Sequence, residues 1–97
     1  MDEIKVGSAV YPVNGRYAGR LMAVLGVCEG YADVCDGKRR RMVNPKRKKL
    51  CHLRLLSPDA PRLTVDAGLT DGAIRRYLAP LRSDEHIPDN LNTIQIK

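Results

Sequence analysis

Residues 38–49 read K-R-R-R-M-V-N-P-K-R-K-K, with eight cations and no acid. A small core cannot take in such a segment. On a strand, successive side chains face opposite ways. Lys38, Arg40 and Met42 would then share one side, and Arg39, Arg41 and Val43 the other. Neither side is apolar, so the run is expected at a sheet edge or in a protruding hairpin, with Val43 turned inward. Alone, like charges at this density repel and favour disorder. The Asp36-Gly37 pair just before them is a tight-turn signal and supplies a frame. It predicts an outgoing strand from Lys38 to Val43, ended by Pro45.

The same run holds the chain's charge imbalance. The 97 residues carry 17 Lys and Arg against 11 Asp and Glu, for a net +6. Outside the run, nine cations face the 11 acids, leaving that remainder at −2. One basic segment on a mildly acidic body fits a polyanionic partner.

Elsewhere in the first 55 residues, short β-rich stretches alternate with turn signals. Ser8–Val13 is expected as an edge or bulged strand because it contains Pro12. Asn14-Gly15 and Gly19 bracket a loop tip, Arg16-Tyr17-Ala18. Leu21–Cys28 follows, with Gly26 marking a bend, then Tyr31–Cys35, the basic strand, and Leu50–Leu55. Five short strands predict a small barrel over residues 1–56. Residues 57–68, opening with Ser57-Pro58-Asp59-Ala60-Pro61, read as a linker. Within 69–82, Thr70 or Asp71 can cap a helix. Ala73, Ile74, Tyr77, Leu78 and Leu81 fall on one stripe that would dock on the barrel, while Arg75, Arg76 and Arg82 lie off it. The helix is expected over 71–80, ending near Pro80. Residues 83–97 have little periodicity and read as a tail that can be disordered, although Leu91, Ile94 and Ile96 could add a strand or dock.

The first 55 residues resemble a KOW-domain protein, whose motif is a strand–loop–strand unit with a glycine in the loop. Val6-Gly7-Ser8-Ala9-Val10 is similar to its opening strand, Asn14–Arg20 to its loop, and Leu21–Val27 to its second strand. The stretches Ala32–Arg41 and Asn44–Leu53 resemble the small bacterial KOW-domain RNA-binding proteins related to large-subunit ribosomal proteins. Those pair a D-G turn with a basic strand, a P-K-x-K-K run and an H-L ending. Cys51 departs from the pattern, since the family more often has a basic residue there. Residues 69–78 are weakly similar to that group's C-terminal extension. The resemblance implies a mainly β, five-stranded SH3-like (KOW) barrel with a short C-terminal α-helix. It also implies binding of RNA, ribosomal RNA first, with no catalysis.

The residues expected to meet RNA are Arg16, Tyr17, Arg20, Lys38, Arg39, Arg40, Arg41, Lys46, Arg47, Lys48, Lys49 and His52. Gly15, Gly19 and Gly37 are expected to shape the loops. Arginine can meet phosphate bidentately, and Tyr17 offers a ring for stacking. Asp33, Asp36 and Glu29 lie near predicted turns, where acids are ordinary. No Ser-His-Asp order, phosphate-cradling glycine loop or carboxylate pair stands out, so no enzyme and no cofactor are expected. Cys28, Cys35, Cys51 and His52 lack zinc-ligand spacing, so no metal is expected, and the thiols are expected in the core. No apolar run nears the roughly 18 residues of a membrane span. The acidic opening, Met1–Lys5, is unlike a secretory signal, and three cysteines suit a reducing cytoplasm. The free chain is expected to be a monomer. Ribosomal proteins are further expected partners, and the rival function is an SH3-like module contacting ribosomal or transcription proteins. An oligonucleotide-binding barrel would want aromatics on its second and third strands, where only Tyr31 qualifies.

Overall fold

The computed structural model describes residues 3–83. The strands are β1 (Ala9–Pro12), β2 (Met22–Cys28), β3 (Tyr31–Cys35), β4 (Lys46–Lys49) and β5 (Leu53–Leu55), followed by helix α1 (Asp71–Ser83). A single 3-10 turn, Leu50–His52, joins β4 to β5. All strand pairs are antiparallel in one sheet of order β4-β3-β2-β1-β5. This is the expected mainly β class with a C-terminal helix, and it is consistent with a small SH3-like barrel.

Alternation along the strands gives two apolar faces. On one, Val10, Met22, Val24, Ala32, Val34 and Leu53 form a buried cluster flanked by Ile4, Tyr17, Leu50 and Leu55. On the other, Ala9, Leu21, Ala23 and Cys35 are covered by Ile74 and Leu78 of α1. The predicted helical stripe therefore docks, with Tyr77 and Leu81 at its margins. The segment before α1 is held between the helix and the turn that precedes β1. Leu63 N–H donates to the Gly7 carbonyl at 2.8 Å, and Tyr77 Oη donates to the carbonyls of Gly7 and Pro61.

Several expectations are corrected. The fourth strand is 46–49 and not 38–43, because the Asp36 carboxylate draws the Lys38 and Arg40 amides away from any ladder. Pro45 precedes a strand and does not end one. Val43 is 86% exposed, whereas Met42 packs against the helix-side cluster. β1 is interior, between β2 and β5. Its proline is tolerated because pairing with β2 involves only Ala9 and Val10, and Pro12 faces Leu53 alone. The fifth strand begins at Leu53, after the 3-10 turn. Pro80 lies inside α1. It is exposed and near the C-terminal end, where water can satisfy the carbonyl that loses its partner. The expected bend at Gly26 is present as a register shift between Val24 and Gly26. The expected strand at Leu91, Ile94 and Ile96 lies outside the described residues.

Candidate nucleic-acid interface

Residues 36–45 form a loop built inward from one carboxylate. Asp36 is fully buried. Its Oδ1 accepts the backbone N–H groups of Lys38 and Arg40, each at 2.9 Å. Its Oδ2 meets Arg20 Nη1 at 3.3 Å. The Arg40 carbonyl closes the turn by accepting from the Asp36 and Gly37 amides. Burial pushes the Asp36 pKa up. The amides of Arg40 and Lys38, the Arg20 charge and the Arg39 amide outweigh that and hold it below the ordinary carboxylate value.

A second carboxylate anchors the far side of the loop. Asp71, the first residue of α1, accepts the Met42 amide at 2.8 Å and meets Arg41 Nε at 3.4 Å. Thr70 caps the helix by accepting from the Ala73 amide at 3.1 Å, which leaves Asp71 free for the loop. Arg75 of α1 donates to the Gly37 carbonyl. Gly37 has a φ of 79°, and a Cβ there would sit 2.5 Å from the Asp71 carbonyl oxygen. Gly37 thus lets helix and loop touch, in addition to shaping the turn.

Two shallow clefts meet at Arg16 and Tyr17. One is lined by Arg16, Tyr17, Arg20 and Arg39, the other by Gly15, Arg16, Tyr17, Arg40, Lys46 and Lys48. No acid is among the described residues lining them. The structure therefore brings the Arg16–Arg20 loop together with the arginine loop and β4, which are separate in sequence. The register explains the part β4 plays. Lys46 and Lys48 pair with Val34 and Ala32, so they stand on the same side as the buried cluster beside Tyr17. Arg47 and Lys49 pair with Asp33 and Tyr31 and face the other way. Gly15 and Gly19 adopt φ of 82° and 79°, and Gly19 N–H closes the loop onto the Pro12 carbonyl.

The basic residues divide by their partners. Arg20 pairs with Asp36, Arg41 with Asp71, and Arg47 with Asp33 at 3.1 Å. Lys48 donates to the carbonyl and side-chain oxygens of Asn14. The Arg40 guanidinium lies 5.8 Å from the Tyr17 ring centroid and donates to the Asn44 carbonyl. Arg16, Lys38, Arg39, Lys46 and Lys49 have no side-chain partner among the described residues. These five are free to meet a ligand, while the others chiefly hold the scaffold. His52 lines neither cleft, and its carbonyl accepts the Val13 amide.

The cysteines part company with expectation. Cys35 is buried, but Cys28 and Cys51 are exposed, at the C-terminal end of β2 and in the 3-10 turn. Burial, then the charges of Asp71 and Asp36, push the Cys35 thiol up to about 12 against the opposing Gly37 amide. Sequence reasoning missed Asp36 and Asp71 as organisers. An Asp that begins an Asx turn was the available signal for Asp36. For Asp71 there was none, because its partner lies 29 residues away.

No protein-family model matches the chain, and no curated protein matches it. No described helix is long and apolar enough to cross a membrane.

Proposed function

We propose that this chain is a non-catalytic RNA-binding protein that engages ribosomal RNA, in the ribosome or during its assembly, through the basic loop and β4. The observation that carries this reading is the pair of adjoining clefts around Tyr17, lined by cations from three separate segments. The resemblance of residues 4–55 to KOW-domain RNA-binding proteins supports it. Binding works by neutralising phosphates and releasing counterions, which positions the RNA more than it specifies sequence. The anchored loop holds Lys38 and Arg39 outward, so less ordering is needed on binding.

Five free cations on irregular RNA give a log–log salt slope of roughly −3.5, at about −0.7 per phosphate. A fourfold rise in salt then weakens binding on the order of 100-fold. The double variant Arg39→Glu/Lys46→Glu alters two free cations and leaves every loop anchor in place. Its affinity for purified ribosomal RNA should fall at least about tenfold, and its slope should flatten to about −2. Unchanged affinity at physiological salt would sink the assigned surface. Co-sedimentation with ribosomal subunits should be lost after ribonuclease. Association that survives ribonuclease would favour the protein-interaction module instead.

A further inference from the structure

We infer that the outward face of α1 is a second RNA-backbone contact, continuous with the arginine loop; this rests on the RNA-binding reading above. The helix needs its inward face to close the core, where Ile74 and Leu78 are fully buried. Nothing in that task calls for the composition of its outer side. Arg75, Arg76 and Arg82 are all exposed there. The only acid in Asp71–Ser83 is Asp71, which is already engaged by Met42 and Arg41. A helix serving only as a lid gains from mixed charges spaced four apart. Here the one such pair, Asp71 and Arg75, is turned to the loop, Asp71 to Met42 and Arg41 and Arg75 to the Gly37 carbonyl.

Arg82 suits the last turn, but the placement of Arg75 and Arg76 works against helix stability. Cations are favoured near a helix C-terminus and disfavoured near its N-terminus, where the dipole is already positive. Arg75 and Arg76 fold back over the first turn: a Cβ on Gly72 would lie 3.5 Å from Arg76 Nη1 and 3.6 Å from Arg75 Nη2. Two guanidinium groups therefore gather at the positive end of the helix, beside the basic loop. Arg75 also reaches the Gly37 carbonyl, so it spans from loop to helix. Arg82 is seven residues beyond Arg75, which returns it to the same side about 10 Å further along the axis. The result is a cationic strip running from Lys38 and Arg39 across Arg75 and Arg76 to Arg82. Its chemistry suits a sugar–phosphate backbone, and its length lets one RNA strand bridge loop and helix.

The test uses the full chain, oligo(U) of increasing length, and Arg76→Glu/Arg82→Glu. Arg75 is left intact because it holds the loop. Circular dichroism confirms that the helix is retained. The variant should bind long oligo(U) about tenfold more weakly, with a salt slope shallower by roughly 1.4. Its affinity should also stop rising at a shorter oligonucleotide than that of the wild type. Arg54→Glu, at the opposite sheet edge, is the control for charge reversal away from the strip and should leave the length dependence unchanged. If Arg39→Glu/Lys46→Glu loses oligo(U) while Arg76→Glu/Arg82→Glu binds like wild type, the strip is overturned and the loop site stands. If the wild type binds neither oligo(U) nor ribosomal RNA, the underlying reading fails and the strip with it. If the helix variant keeps RNA but loses a ribonuclease-resistant association with ribosomal subunits, the face is a protein contact and the inference is overturned.

Discussion

Replacing Asp36 with alanine should destabilise the protein by about 3 kcal/mol, towards the low end of the range for breaking a buried charged network. Its two oxygens satisfy two loop amides and Arg20, with no exposure to water. Arg20 is one-third exposed and can resolvate, so most of the loss comes from the loop amides and the emptied volume. For a domain of this size, 1 kcal/mol moves Tm by roughly 4–8 °C, so the fall should exceed about 10 °C. Asp36→Asn keeps the shape and one acceptor and should cost about half as much. The pH dependence follows from the lowered pKa. The unfolded carboxyl titrates near 3.8, and the folded one titrates below that. The stabilisation is therefore complete above pH 3.8 and disappears as the pH falls through the folded value. Thermal melts of wild type and Asp36→Asn should converge with acidification in that range. An Asp36→Ala protein as stable as wild type would remove Asp36 as the loop's organiser.

The second large effect is expected at Gly37, and Gly30 provides the comparison. Both have positive φ, 79° and 85°. A left-handed conformation costs a non-glycine residue roughly 1–2 kcal/mol. Around Gly30 a Cβ would meet nothing within 4 Å, so Gly30→Ala should cost only that amount. At Gly37 the added carbon meets the Asp71 carbonyl at 2.5 Å and Arg75 Cγ at 3.2 Å. The first of these is backbone and cannot rotate away, so α1 has to shift. That shift loosens Ile74 and Leu78, and Gly37→Ala should cost about 3 kcal/mol or more. Urea melts of both variants settle the matter. Equal losses would mean that the close approach of helix and loop contributes nothing beyond the turn.

The elements that the sequence made legible are those stabilised by near neighbours. The Tyr31–Cys35 strand, the Arg16–Arg20 loop and the helix stripe all depend on turns, caps and periodicity within a few residues. The misplaced fourth strand shows where local signals stop. Lys38–Val43 has the right length and follows a turn pair, yet Asp36 and Asp71 take three of its amides. One of those acids is distant in sequence, and no pattern within the run betrays it. The place of β1 is equally hidden from local signals, because whether a proline sits at an edge depends on how far the neighbouring strand extends. At the candidate site, the basic residues were legible as a set. Their division into anchored and free members was not, since each anchor comes from another segment.

The helix-covered face of the sheet also bears on how the protein is made. By the time Leu55 leaves the ribosomal exit tunnel, all five strands exist, but Ile74 and Leu78 are still to come. At roughly 5–20 residues per second, the sheet waits on the order of seconds with Ala9, Leu21, Ala23 and Cys35 uncovered. A nascent chain in that interval presents bare apolar surface beside a strongly cationic loop. It is then most open to misassembly and to capture by chaperones.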